Sequence, residues 1–308
     1  MEHQIIKNLD KKIFGIAIDA GSGLKKALKE ARSNDAKDED LLTFKRSVIS
    51  ILGQSASTVL IDSTFGPDLI QNFPKNCSPM MAYEADVYHI SDKDRITKLP
   101  ENINISDFSN LGYKVLKFFM YYAPNDNKEI NKKKESIIEK IGKDCVDNNI
   151  SFLMEPLVYD PFKKPGSLDY AFLKPKLVER ATRVFSNPKF NVNILKVEVP
   201  VDLSFVEGFG DPIMKQNNAI KCFQDASNAA GDIPLVYLSA GVSFDWFKAS
   251  IKMAIDAEVD CSGFMCGRAV WSEAIKVFGD NGEDALIEWL NTIGLNRLNQ
   301  LIKLFEEK

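Results

Sequence analysis

The sequence predicts an α/β fold of the (β/α)8 TIM-barrel type, on three observations. Eight short apolar runs recur along the 308 residues. Amphipathic helical patterns separate most of them, and polar side chains gather at their C-terminal ends. Near-continuous apolar strands that alternate with helices imply a parallel sheet covered on both faces. Eight such units in about 300 residues fit a closed barrel; an open doubly wound sheet with an unusual strand count is the alternative. No linker or low-complexity segment divides the chain, so a single domain over residues 1–308 is expected.

FGIAID (14–19) is the first strand. It ends on Asp19 and enters the Gly-Ser-Gly turn at 21–23, a pattern shared with the phosphate loops of sugar kinases. Such a loop sits in a hairpin, whereas LKKALKEA follows here, with Leu24, Ala27, Leu28 and Ala31 at helical spacing. Strand, turn and helix make a barrel unit. STVLID (57–62) and PMMAYE (79–84) are the second and third strands, and the stretch from Glu84 to Tyr113 shows little helical periodicity, so the third unit is expected to be irregular. YKVLKFFMYY (113–122) is followed by the helical KKKESIIEKIGKDCVDNN, then by the strand ISFLMEP (150–156). YDPFKKPGSLDYAFLKPK reads as a long insertion over the active-site end, with a helix PKLVERATRVF beyond it. ILKVEVP (194–200), PLVYLSAG (234–241) with the helix DWFKASIKMAIDA, and CSGFMCGRA (261–269) with WSEAIKVF complete the eight units. The C-terminal ALIEWLNTIGLNRLNQLIKLFEEK is expected to be helix packed on the outside.

Composition narrows the function. The formal charge is −4 with no basic block, which argues against a nucleic-acid partner. No apolar run approaches the ~18 residues of a membrane span, and the N-terminus lacks the features of a signal peptide. Cys77, Cys145, Cys222, Cys261 and Cys266 are scattered without zinc-site spacing, as expected of reduced thiols in the cytoplasm. Only His3 and His89 are present, too few for a three-imidazole metal site. A Ser-His-Asp triad would rest on His89 alone, which reads more simply as a surface-loop residue.

Chemistry in a barrel sits at the C-terminal ends of the strands. There the chain presents Asp19, Asp62, Glu84, Lys117, Glu155, Lys196 with Glu198, Ser239 and Arg268. Lys196 and Glu198 are two apart, so both are expected on one face, toward the barrel interior. A buried ammonium is costly unless it is paired or neutralised. A neutralised lysine is the amine that adds to a ketone to form a Schiff base; an interior Lys–Glu ion pair with a purely structural role is the competing reading. Lys117, Phe119 and Tyr121 share a face in the same way, which places a second interior cation. Glu155 ends a very apolar strand, a setting in which a carboxyl can shuttle protons, and it is equally suited to pair with Lys117 or Lys196. Ser239 and Gly241 precede one helix, and Gly267 and Arg268 open the next. Both turns suit a phosphate at the position where barrels commonly bind one.

LKFFMYY, MEPLVYD, ILKVEVP with the downstream FVEGF, YLSAGVS and CGRAVW, in this order and spacing, resemble the class I tagatose 1,6-bisphosphate aldolase family. That family also includes sulfofructose-phosphate aldolases and sulfofructose transaldolases. The resemblance runs from about Ile13 to the C-terminus. It implies that Lys196 is the Schiff-base nucleophile, Glu155 the proton shuttle, Lys117 a support for the charge of the intermediate, and Asp19 a holder of a substrate hydroxyl. It further implies that Ser239, Gly241, Gly267 and Arg268 cradle a phosphate, and that no metal or other cofactor is needed. The expected partner is a small-molecule ketose phosphate or sulfonated sugar, and a homo-oligomer is compatible with the family. One departure stands out. Family members typically carry Asp-Gln-Arg at the end of strand one, whereas here Ala20 and Gly21 follow Asp19. Ser22 and the backbone of its turn are expected to replace part of the missing anion site. The activity expected is metal-independent cleavage of a phosphorylated ketohexose. Transaldol transfer or cleavage of a sulfofructose, and a catalytically weak ketose-phosphate-binding regulator, are the alternatives.

Overall fold

The computed structural model describes residues 12–32, 35–86, 90–91, 93–259 and 261–307. His3 and His89 lie outside the described residues. Eight parallel strands close in chain order: β1 (Ile13–Ile18), β2 (Thr58–Ile61), β3 (Ser78–Ala82), β4 (Val115–Tyr122), β5 (Ser151–Val158), β6 (Ile194–Glu198), β7 (Leu235–Leu238) and β8 (Cys261–Cys266). β1 closes the ring by pairing with both β2 and β8. The outer helices are α1 (Ser22–Arg32), α2 (Asp38–Leu52), the single turn α3 (Gly66–Leu69), α4 (Lys128–Asp147), α5 (Leu168–Phe185), α6 (Gln216–Ala230), α7 (Phe244–Asp256), α8 (Arg268–Trp289) and α9 (Leu295–Glu306). A π turn (Leu290–Gly294) joins the last two.

Strand alternation divides the apolar residues into two cores. Ile13, Ala17, Leu60, Met80, Ala82, Val115, Leu153, Ile194, Val236 and Met265 fill the barrel interior. Their neighbours in sequence, such as Ile16, Val59, Met81, Leu116, Met154, Leu195 and Phe264, pack outward against the helices. Both sets are buried because the sheet is covered on both faces. β8 comes so close to β1 that a Cβ on Gly263 would lie 2.0 Å from the Ile13 carbonyl oxygen. Its φ of +143° is likewise one that side-chain-bearing residues rarely adopt.

The third unit is irregular, as its lack of periodicity predicts: between β3 and β4 the described residues hold only the 3-10 turn Ile105–Asp107. The segment after β5 is a correction. Much of the expected insertion is helix, because α5 begins at Leu168, capped by the Ser167 hydroxyl, which accepts from the Tyr170 N–H. Pro175 therefore lies inside α5 and does not open it. A proline inside a helix gives up one backbone hydrogen bond and ordinarily marks a helix start, which is why the sequence reading begins this helix at Pro175.

Candidate active site

Above the apolar interior the barrel fills with charge. Lys117 from β4, Glu155 from β5 and Lys196 from β6 stand two residues beyond the interior residues Val115, Leu153 and Ile194, so strand alternation aims them at the same axis. All three are buried, at 3 %, 6 % and 4 % exposure, well short of the exposure that would let water solvate them. Glu155 Oε2 accepts from Lys196 Nζ at 3.0 Å and lies 3.0 Å from Lys117 Nζ. Lys117 also donates to Asp19 Oδ2 at 2.9 Å and to Glu84 Oε1. Two ammonium groups and three carboxylates thus form one network across β1, β3, β4, β5 and β6.

The network sets its own ionisation. Burial alone would push Lys117 down, but Asp19, Glu155 and Glu84 outweigh it and hold the ammonium well above its ordinary value. Burial would likewise raise Asp19, yet Lys117 and Lys196 keep its carboxyl well below the usual carboxylate range. Glu84 goes the other way. Burial, with the nearby Asp19 and Glu155 charges, pushes it up to about 7 against the pull of Lys117. Its Oε2 is buried and has no hydrogen-bond partner among the described residues.

Glu198 corrects the sequence reading. The ion partner of Lys196 is Glu155 on the neighbouring strand, while Glu198 Oε2 accepts from the Val158 N–H at 2.8 Å. Glu198 is the last residue of β6, where its carboxylate finds the end of β5. Asp62 joins a different cluster. Lys45, fully buried on α2, donates to Asp62 Oδ2 at 2.6 Å and to the carbonyl oxygens of Ile18 and Ala20 at 2.7 and 2.8 Å. It clamps the backbone on both sides of Asp19.

The turns after β7 and β8 pack against each other. Ser239 is buried just after β7, and Ala240 and Gly241 follow with φ of 49° and 80°. A Cβ on Gly241 would press on the Arg268 guanidinium carbon at 3.0 Å, and the φ of 80° is one that side-chain-bearing residues rarely adopt. Gly267 caps α8, whose first N–H groups face the mouth beside the exposed Arg268. Ser22 differs from expectation: its N–H donates to Asp86 Oδ2 at 2.8 Å and its hydroxyl to the same carboxylate. Both donors of Ser22 are therefore bound within the chain.

Lys45, Glu84 and Asp86, which surround the network and the strand-one turn, are residues that sequence reasoning gave no role. Lys45 carries a legible signal, since it sits on the buried stripe of Leu41, Phe44, Val48 and Ile49 in α2. Glu84 was visible only as a polar strand end, and Asp86 lies in the aperiodic stretch. Among the described residues no group of three or more His, Cys, Asp or Glu side chains is placed to hold a metal ion. No helix among them is long and apolar enough to cross a membrane.

A (β/α)8 barrel whose mouth holds a buried lysine against a carboxylate has the arrangement that a Schiff-base aldolase, a carbon–carbon lyase, requires. The chain belongs to the DeoC/LacD family of aldolases, whose family model matches residues 16–273. It is 35 % identical over 305 residues to the tagatose 1,6-diphosphate aldolase of Staphylococcus aureus strain JH9, covering 98 % of this chain and 93 % of that one. Its fold is similar to that of the fructose-bisphosphate aldolase of Plasmodium falciparum, with a TM-score of 0.70, 14 % identity, and 94 % and 89 % of the two chains covered. A Schiff base forming fructose-1,6-bisphosphate aldolase superposes with a TM-score of 0.63 at 14 % identity over 96 % and 94 % of the chains.

Proposed function

We propose that this aldolase cleaves a phosphorylated ketohexose such as tagatose 1,6-bisphosphate into two three-carbon units, with Lys196 as the nucleophile. The 3.0 Å contact of Lys196 Nζ with Glu155 Oε2 carries the reading. The likeness to a tagatose 1,6-diphosphate aldolase over 98 % of the chain supports the substrate class.

The steps follow from that contact. Lys196 passes a proton to Glu155 and its free amine adds to the C2 carbonyl carbon of the open-chain ketose. Glu155 returns the proton to the carbinolamine hydroxyl, which leaves as water and gives a cationic iminium. The Glu155 carboxylate then takes the C4 hydroxyl proton. The C3–C4 bond breaks, its electron pair moves into the iminium to give an enamine, and the aldehyde departs. Protonation of the enamine at C3 and addition of water release the ketone and restore Lys196.

Lys117 stays cationic throughout and holds Glu155 and Asp19 in place. Asp19, kept ionised beside it, is suited to accept a hydrogen bond from a sugar hydroxyl. Ser239, Gly241, Gly267 and Arg268 are assigned to the phosphate next to the carbonyl. The reaction as written needs no metal or other cofactor, and the partner is a small-molecule sugar phosphate in the cytoplasm. The test is product release. Purified protein with tagatose 1,6-bisphosphate should liberate dihydroxyacetone phosphate and glyceraldehyde 3-phosphate in equal amounts with no acceptor added. Release that requires an acceptor aldehyde would replace the lyase by a transaldolase. Tight binding of the ketose without either product would leave a binding protein.

A further inference from the structure

Arg95, in the loop between β3 and β4, stands at the mouth with an unusual set of neighbours. Its guanidinium carbon lies 4.5 Å from the centre of the Tyr159 ring and 5.7 Å from that of Tyr121. No carboxylate among the described residues forms an ion pair or hydrogen bond with it. The two acidic groups nearby have other partners: Asp94 accepts from the Ile96 N–H, and Asp126 from the Tyr159 hydroxyl at 2.6 Å. Lys134 Nζ donates to the same hydroxyl at 3.1 Å, so the ring beneath Arg95 is locked in place. The backbone of Arg95 has a φ of 49°, a left-handed conformation that a non-glycine residue adopts at some cost. A half-buried guanidinium on a fixed aromatic platform, with its N–H groups uncommitted among the described residues, is prepared for a planar match to an oxyanion.

Topology says which oxyanion. In a closed ring of eight strands the β3–β4 loop lies opposite the β7–β8 turns that hold Ser239, Gly241, Gly267 and Arg268. The Lys117–Glu155–Lys196 network lies between these two sites. The interior face of β4 links it to Arg95 by an aromatic ladder: Lys117 Nζ is 5.0 Å from the Phe119 ring centre, and Phe119 is 5.6 Å from Tyr121. From the level of Phe119 to that of Tyr121 is one two-residue step, about 7 Å along the strand. From C2 to the phosphorus on C6, an extended ketohexose phosphate bridges a step of that size. The strand-one turn is less suited to the same task, because both donors of Ser22 go to the Asp86 carboxylate.

We propose that Arg95, stacked on Tyr121 and Tyr159, binds the anionic group on C6 of the ketose and so sets the specificity for substrates charged at both ends. This rests on the aldolase reading above. The experiment compares kcat/KM for tagatose 1,6-bisphosphate with that for tagatose 1-phosphate, in the wild type and in Arg95→Met, Arg95→Lys and Ser22→Ala. The preference for the bisphosphate should fall about 10- to 100-fold in Arg95→Met, mainly through KM. It should recover in part in Arg95→Lys and stay within about two-fold in Ser22→Ala. A ketose 1-phosphate with a sulfonate on C6 distinguishes the two tetrahedral anions: a loss in Arg95→Met with either one supports the inference, and a loss with neither overturns it. A loss shared equally by the 1-phosphate, or a collapse of the preference in Ser22→Ala, also overturns it. A wild type that cleaves none of these ketoses overturns the aldolase reading, and the inference with it.

Discussion

Lys45 and Lys196 are both buried lysines with carboxylate partners, yet their environments differ in kind. Lys45 lies between α2 and the barrel wall and gives its three donors to three acceptors, Ile18 O, Ala20 O and Asp62 Oδ2. Lys196 lies inside the mouth and among the described residues has a single hydrogen-bond partner, Glu155. An ammonium has three N–H groups to satisfy. With all three engaged, losing a proton would break a bond and leave a buried acceptor uncompensated. With one engaged, a proton can pass to that carboxylate without breaking a second bond. Lys117 resembles Lys45 in this respect, with Asp19, Glu84 and Glu155 around it. Donor saturation, more than burial, separates the lysines that hold the structure from the one suited to attack a carbonyl.

The comparison breaks if Lys196 can be replaced at little cost. Lys196→Met should lower kcat for ketose cleavage on the order of 10⁴-fold or more, with the fold intact by circular dichroism. Glu155→Gln keeps the nucleophile but removes the proton acceptor. Its kcat should drop about 10²- to 10⁴-fold in steady-state assays. Lys45→Met is the converse case. It strands Asp62 and two carbonyls without their cation, and denaturant unfolding should show a loss of about 3–5 kcal/mol. The folded fraction of that variant should still form the Lys196 adduct.

Glu84 gives the smallest and most diagnostic effect. Its carboxyl is raised from 4.5 to about 7, so the folded state holds the proton more tightly than the unfolded state. Its contribution to stability is full below pH 4.5 and is lost as the pH rises through about 7. Between pH 5 and 8, Glu84→Gln should lose less thermal stability than the wild type. The variant should also lack an inflection near pH 7 in the kcat/KM profile. An unchanged profile would place Glu84 outside the working network.

The interior half of the site was legible because strand alternation is a strict rule. Lys117, Glu155 and Lys196 each follow an apolar interior residue by two, and the structure brings them to one point. The rule stops where the strand stops, which is why Glu198 turned out to serve the Val158 N–H. Lys45 was hidden because a lysine on a helix is ordinarily solvated, and only its place on the apolar stripe of α2 marked it as buried. Arg95 and Asp86 lie in a stretch without period, where spacing carries no information about neighbours. Their contacts with Tyr159, Tyr121 and Ser22 depend on the closed barrel that brings distant loops together.

Borohydride trapping tests the central claim most directly. The protein is mixed with tagatose 1,6-bisphosphate or dihydroxyacetone phosphate, reduced, digested and mapped by mass. The account predicts a stable secondary amine on Lys196 alone, with Lys45, Lys117 and Lys134 unmodified. An adduct on any of those three, or none with either compound, would contradict it.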